Sequence, residues 1–344
     1  MITQLSPLSA ASLAKAASLL RAGQVVAFPT ETVYGLGANA LDADAVRRIF
    51  AAKERPADNP LIAHIAIREE LSALTRFIDR RAHLLMDAFW PGPLTLIFPK
   101  SSRVPSVVSA GLDTVAVRMP SHPAAQALLR ETGLPIAAPS ANRSGRPSPT
   151  TAQHVLEDMD GRIPFILDGG TCGVGVESTV LDLTLDPPMV LRPGGITVEQ
   201  LRAILPDVRV SDAVLRPLIP GMQARSPGMK HRHYAPKARV WVVQGSVEAV
   251  SSAIRSRYDV VASEGARPII FCSDAHAPLY PDRLIRPLGP DEASMAANLF
   301  SALRETDEQN ISLILAEATD TAGMGLALMN RLLRAADFDV FHAT

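Results

Sequence analysis

Cysteine is scarce: Cys172 and Cys272 stand far apart and form no C-x-x-C pair. That spacing excludes a zinc knuckle or a dithiol redox motif and leaves two free thiols, as in a reducing compartment. Aromatic residues make up 5% and charged residues 20%, which fits neither a coiled coil nor a disordered chain. No apolar run reaches the roughly 18 residues that a membrane-crossing helix needs. The start, Met-Ile-Thr-Gln-Leu, has no basic segment ahead of an apolar stretch, and Lys15 and Arg21 interrupt the first apolar region. No signal peptide is therefore expected, and the protein is expected to be cytoplasmic. An excess of one charge is missing too. The net charge is −1, whereas a dedicated nucleic-acid binder usually carries a basic surplus and interleaves aromatic platforms with basic residues. A Walker A string, a G-x-G-x-x-G fingerprint, a serine-histidine-aspartate order and a metal cage are all absent.

Apolar residues, by contrast, make up 47% of the 344 residues, enough for a sizeable core in each of two domains. Residues 9–22 read as an amphipathic helix with Ser9 as N-cap and Gly23 as stop. Short apolar runs at 24–29, 61–66, 94–98, 114–117, 134–137, 165–167, 179–183 and 190–192 read as strands. Helical stretches fall between them at 43–52, 68–89 and 122–131. Thr150 or Thr151 caps a helix reaching Met159, and Thr197 caps another reaching Ile204. The pattern is mixed α/β. Residues 206–238 lose periodicity and gather prolines, basic residues and an aromatic, so they form a linker or a functional loop. Strand and helix then alternate to the end (239–243, 246–257, 268–271, 291–305, 312–316, 326–336), as in a small parallel sheet of doubly wound type.

Polar residues cluster where apolar strands end. Pro29-Thr-Glu-Thr-Val-Tyr-Gly-Leu-Gly37 offers two threonine hydroxyls, a carboxylate and two glycines. By itself its Gly-x-Gly reads as a turn. Lys53 and Arg55 lie on a segment closed by prolines, where cations suit phosphate oxygens or form a surface pair. His64, inside a strand, is either satisfied structurally or a donor to a carboxylate. Arg118 ends the strand Val115-Ala-Val-Arg118, the place where α/β folds put ligands, and a buried arginine needs an anionic partner. Ala138-Pro-Ser-Ala-Asn-Arg-Ser-Gly-Arg-Pro-Ser148 is rich in hydroxyl, amide and guanidinium groups and runs into a helix N-terminus, which favours anions. Glu177-Ser-Thr-Val and Leu191-Arg-Pro-Gly-Gly-Ile196 repeat the theme. Together they describe a concave, cationic, polar site for a phosphorylated small molecule or a polyanion.

Several of these segments, with Pro91-Gly-Pro-Leu-Thr95, Arg118-x-Pro120 and Ser226-Pro-Gly-Met-Lys-His-Arg-His-Tyr-Ala-Pro236, resemble the long, two-domain form of the threonylcarbamoyl-AMP synthase family. The ending Gly323-Met-Gly-Leu-Ala-Leu-Met-Asn330-Arg-Leu matches as well, so the resemblance covers nearly the whole chain. It implies a YrdC-like twisted mixed sheet with a large concave cavity over 1–205, an interdomain linker or lid over 206–238, and a small Rossmann-like domain over 239–344. It implies that L-threonine, bicarbonate and ATP give threonylcarbamoyl-AMP and pyrophosphate, for transfer to tRNA by partner proteins. Weak or no direct tRNA binding and no membrane are expected from the charge balance and the lack of a long apolar run. Threonine would contact Thr32, His64, Arg118, the backbone of Ala138, and Ser178. ATP would contact Lys53, Arg55, Asn59, Thr114, Ser140, Asn142, Ser148 and Arg192, with Tyr234 closing over it. Mg2+ would ride on the triphosphate, and no side chain is marked as a general base. An RNA-binding module and a carbamoyltransferase on the same fold are the alternative readings.

Overall fold

The computed structural model describes residues 2–218, 224–227 and 234–344. Two compact units account for them. One comprises 1–144, 148–214 and 218–230; the other comprises 145–147, 215–217 and 231–344.

In the first unit, eleven strands among the described residues join one mixed sheet. They are β1 (Gln4–Pro7), β2 (Val26–Phe28), β3 (Gly35–Asn39), β4 (Ile62–His64), β5 (Leu94–Pro99), β6 (Thr114–Arg118), β7 (Ile136–Ala137), β8 (Phe165–Asp168), β9 (Thr179–Asp182), β10 (Met189–Arg192) and β11 (Arg209–Val210). Their order across the sheet is β1-β8-β2-β3-β7-β4-β6-β5-β9-β10-β11. The central strands are buried on both faces, and helices Ala10–Arg21 and Pro123–Thr132 pack on Phe28, Ile136, Phe165 and Leu167. Each such side chain contributes roughly 1.5–3 kcal/mol of apolar burial. Ser9 caps the first helix through a capping box with Ser12, and Thr151 caps Ala152–Met159. Such caps are worth about 1 kcal/mol each.

Two sequence expectations change. Residues 35–37 form part of strand β3 rather than a turn. A Cβ on Gly37 would lie 2.7 Å from both Ile136 and Phe28, so glycine is needed there for close strand packing. The expected helix over 68–89 is broken: Thr75 is extended, its hydroxyl donates to the carbonyls of Phe77 and Pro99, and Asp79 caps a new helix, Arg80–Phe89.

The second unit holds a parallel sheet, order β14-β13-β15-β12-β16, from β12 (Arg239–Gln244), β13 (Pro268–Cys272), β14 (Ile285–Pro287), β15 (Leu313–Glu317) and β16 (Val340–His342). Trp241 stacks on half-exposed Phe341 with ring centroids 5.0 Å apart, and Arg257 lies over Trp241. An aromatic pair with arginine beside it therefore exists, although its members are scattered along the chain.

Candidate active site

The site follows from strand register. Alternation places Thr114, Ala116 and Arg118 of β6 on one face. Across the sheet Arg118 sits opposite His64 of β4 and Thr95 of β5, and Thr95 opposite Val180 of β9. Thr95 Oγ1 and Ser178 Oγ are 2.7 Å apart. Arg192, at the end of β10, donates from Nη2 to that same Ser178 Oγ at 3.1 Å and from Nε to the Ser178 carbonyl at 3.0 Å. Arg118 donates from Nη1 to Thr32 Oγ1 at 2.8 Å and from Nε to the Gly92 carbonyl at 3.3 Å. Thr32, His64, Arg118, Ser178 and Arg192 are all buried, so two cations share one low-dielectric neighbourhood.

Glu31 completes this end. Its carboxylate lies 2.6 Å from Arg118 Nη2. Burial by itself would push its pKa up, but the charge and hydrogen bond of Arg118, with backbone hydrogen bonds at Glu31 and Ser121, hold it below the ordinary carboxylate value. His64 behaves oppositely. Burial, reinforced by the nearby Arg118, pushes its pKa down to about 3, and Nδ1 sits 3.1 Å from the Ile62 carbonyl. Cys172 is buried and pushed up to about 12, so it is a protonated thiol. His64 and Cys172 are thus neutral while Glu31 and Arg118 are charged.

The other end of the site is reached along β4 and β6. Asn59 and Pro60 lead into β4, whose Ile62 pairs with Ala116, so Asn59 and Thr114 both lie at the amino end of this strand pair. Thr114 is about 13 Å along β6 from Arg118. β7 runs antiparallel to β4, so the chain leaving it through Ala138 and Ser140 returns toward Asn59. The N–H of Ala138 donates to the Ile62 carbonyl at 2.9 Å, so any ligand contact by its backbone falls to the carbonyl. Lys53 is buried, with Nζ donating to the carbonyls of Ser140 and Asn142. Here the lysine fastens the loop that carries both residues. Arg55 follows two residues later, past the end of the helix, its N–H on the Phe50 carbonyl. Ser140 Oγ donates to Asn142 Oδ1 at 2.5 Å, and Ser148 Oγ to Glu177 Oε1 at 2.5 Å. Asn59 is 1% exposed, and neither its amide nitrogen nor its amide oxygen has a hydrogen-bond partner among the described residues. Such a group marks a place for a polar ligand.

A family model described as "Telomere recombination" matches residues 18–194, and one described as "Threonylcarbamoyl-AMP synthase, C-terminal domain" matches residues 196–337. The chain is 50% identical over 328 residues to the threonylcarbamoyl-AMP synthase of Pyrococcus abyssi, covering 94% of each. It is 49% identical over 331 residues to that of Bacillus subtilis, covering 94% of this chain and 92% of the relative. The crystal structure of P. abyssi Sua5 complexed with L-threonine superposes with a TM-score of 0.93 at 47% identity, covering 100% of this chain and 99% of that one. The chain belongs to the threonylcarbamoyl-AMP synthase family.

In this threonylcarbamoyl-AMP synthase family member, the segment Ala224–Pro227 lies on the first unit. Ala224 packs on a floor of Ile62, Ile97, Ala116, Val180 and Leu191, which includes the apolar residues between the two ends of the site. Arg225 pairs with buried Asp182 at 2.8 Å, and the Pro227 carbonyl accepts from Arg192 Nη1 at 3.4 Å. Residues 228–233 of the motif around Ser226–Pro236 lie outside the described residues. Tyr234 packs in the second unit, buried against Phe300 with centroids 5.1 Å apart and Arg331 over its ring. In the sequence Glu31 is only a carboxylate in its motif, and Thr95 and Asp182 carry no signal of a role, since their roles arise from register.

His64 supplies a pH test. The folded ring stays neutral down to about 3, whereas an unfolded histidine titrates near roughly 6.5. Between these values the unfolded chain binds the extra proton, so acid destabilises the fold by up to about 1.4 kcal/mol per pH unit through this residue. His64→Gln is expected to flatten the loss of stability from about pH 6.5 to 4 in denaturant titrations. An unchanged slope would exclude a buried neutral imidazole.

Proposed function

We propose that this enzyme makes threonylcarbamoyl-AMP and pyrophosphate from L-threonine, bicarbonate and ATP, for the threonylcarbamoyl modification of tRNA in the cytoplasm by partner proteins. The observation that carries the reading is the buried linkage of Arg118, Thr95, Ser178 and Arg192 at one end of β4 and β6, with the unsatisfied amide of Asn59 at the other. Threonine would bind at the first end, with its carboxylate on Arg118 and with Thr32, His64, the Ala138 carbonyl and Ser178 around it. ATP would lie toward Asn59, Thr114, Ser140, Asn142 and Ser148, with Arg55 and Arg192 facing its phosphates. Lys53 would act by holding the loop. Residues 1–205 form the catalytic domain in this reading, 206–238 the linker and 239–344 the small domain.

The chemistry needs little from a general base. The threonine amine, once deprotonated, adds to bicarbonate with loss of water to give a carbamate. A carbamate oxygen then attacks the α-phosphorus and pyrophosphate leaves. The chain would contribute positioning, cationic stabilisation of the crowded phosphorus centre, and shelter for a carbamate that water destroys. Ala224–Pro227, lying on the floor of the site, suits that shelter. Mg2+ would ride on the triphosphate, held mainly by phosphate oxygens and water. Among the described residues no helix is long and apolar enough to cross a membrane.

Purified protein should release pyrophosphate from ATP only when L-threonine and bicarbonate are both present. Equal release with serine, or with no amino acid, would remove the reading.

A further inference from the structure

We infer that Glu31 recognises the ammonium group of the bound amino acid, making the site selective for α-amino acids over carboxylates that lack the amine. The inference rests on the placement of the threonine carboxylate on Arg118 proposed above.

Arg118 is already oriented without Glu31. Nη1 donates to Thr32 and Nε to the Gly92 carbonyl. An added anion on Nη2 partly cancels the charge that should draw a carboxylate, so as a mere prop Glu31 would work against binding. A zwitterion changes the balance. Its ammonium sits on the carbon next to its carboxylate, so a carboxylate on Arg118 brings the ammonium within reach of the anion that shares the same guanidinium. Arg118 and Glu31, 2.6 Å apart, then match the two halves of the substrate. A carboxylate without an amine meets the same pair with nothing to offset Glu31, and like charges in a buried site repel strongly.

The neighbours leave this role to Glu31. Burial keeps His64 neutral and Cys172 a thiol, so neither supplies a negative charge. His122, which also feels Glu31, is likewise lowered by burial, toward the uncharged form. The Glu31 side chain is 14% exposed, a depth at which an anion is not readily replaced by water.

The test uses the full chain and isothermal titration with two ligands, L-threonine and 3-hydroxybutyrate, the same skeleton with hydrogen in place of the amine. The wild type should bind threonine at least about tenfold more tightly. Glu31→Gln should weaken threonine by roughly tenfold or more while leaving 3-hydroxybutyrate unchanged or tighter. Glu31→Asp, which keeps the charge and shortens the reach, should fall between. A wild type that binds both ligands alike overturns the inference, and so does a Glu31→Gln protein that weakens both alike. If Glu31→Gln does not fold, Glu31→Asp decides: an unchanged ratio of the two affinities overturns the inference. Arg118→Ala separates the underlying reading. If threonine still binds without Arg118, the carboxylate placement fails. If threonine is lost without Arg118 but the amine makes no difference, only the role of Glu31 fails.

Discussion

Arg118→Ala should remove threonine binding and destabilise the fold at the same time, leaving ATP affinity much less affected. Arg118 is 3% exposed, and its guanidinium meets Thr32, Gly92 and Glu31. Loss of a buried, hydrogen-bonded partner to a carboxylate costs roughly 2–5 kcal/mol of binding. The fold suffers separately, because Glu31 stays behind as a buried carboxylate without its cation, at a cost of about 3–5 kcal/mol. The sign of the pH effect then reverses at Glu31. In the intact protein its pKa is held low, so its contribution is present above the unfolded value and lost in acid. Without Arg118 burial dominates, the folded pKa rises above the unfolded one, and the variant should gain stability as the pH falls through the raised folded pKa toward the unfolded value. Adding Glu31→Gln should therefore restore part of the stability of Arg118→Ala and none of its threonine binding. Denaturant titration and calorimetric binding on the single and double variants would check both halves. Equal losses for threonine and ATP, or a double variant no more stable than the single one, would show that Arg118 and Glu31 do not form the coupled pair described.

Which parts of this were legible in the sequence depends on how local their causes are. Ser9, Thr151 and Thr197 announce helix starts through their own side chains, and those helices begin where expected. The mixed α/β class and the parallel second sheet follow from short apolar runs and their alternation with helices. Strand β3 was not legible, because glycine disfavours strands locally and only the rings and methyls of Phe28 and Ile136 make it necessary. β1 was missed for a related reason: Gln4–Pro7 is a largely exposed edge strand that β8 recruits by pairing. In the site, residues at the ends of apolar strands stand out because polarity there has no structural excuse; Arg118, Ser178 and Arg192 are such residues, and the structure bonds Arg192 to Ser178 and sets Arg118 in register opposite Thr95, whose hydroxyl meets Ser178. What joins them did not stand out. Thr95 is a threonine inside a strand until register sets it opposite Arg118, and its hydroxyl is 2.7 Å from Ser178. Lys53, beside a proline-closed segment, reads as a phosphate ligand, and only the fold shows that the last residue of helix Ala43–Lys53 turns its ammonium onto two carbonyls.

Gly194→Ala should be nearly as damaging as the loss of Arg118, although it adds a single methyl and removes no polar group. A Cβ at this position would lie 2.1 Å from the Glu177 carbonyl oxygen, 2.5 Å from the Ser178 carbonyl carbon and 2.5 Å from the Thr179 nitrogen. All three are backbone atoms, so no side chain can rotate aside, and the segment must shift by roughly 1 Å to reach ordinary contact. The same segment holds Ser178, on which Arg192 and Thr95 converge, and Thr179, whose hydroxyl donates to the Ile196 carbonyl at 2.5 Å. Moving it loosens the anchor of Arg192 and displaces the Ser178 hydroxyl from Thr95. Overpacking of this kind typically costs about 1–3 kcal/mol of stability, and a misplacement near 1 Å at reacting groups can cost about a hundredfold in rate. Gly173→Ala is the control: a Cβ there meets nothing within 4 Å, so that variant should stay within about 0.5 kcal/mol of the parent. Melting midpoints and threonine-dependent pyrophosphate release, measured on the two variants side by side, would decide. A Gly194→Ala protein with parental turnover would mean that the spacing between β9 and β10 does not set the position of Arg192.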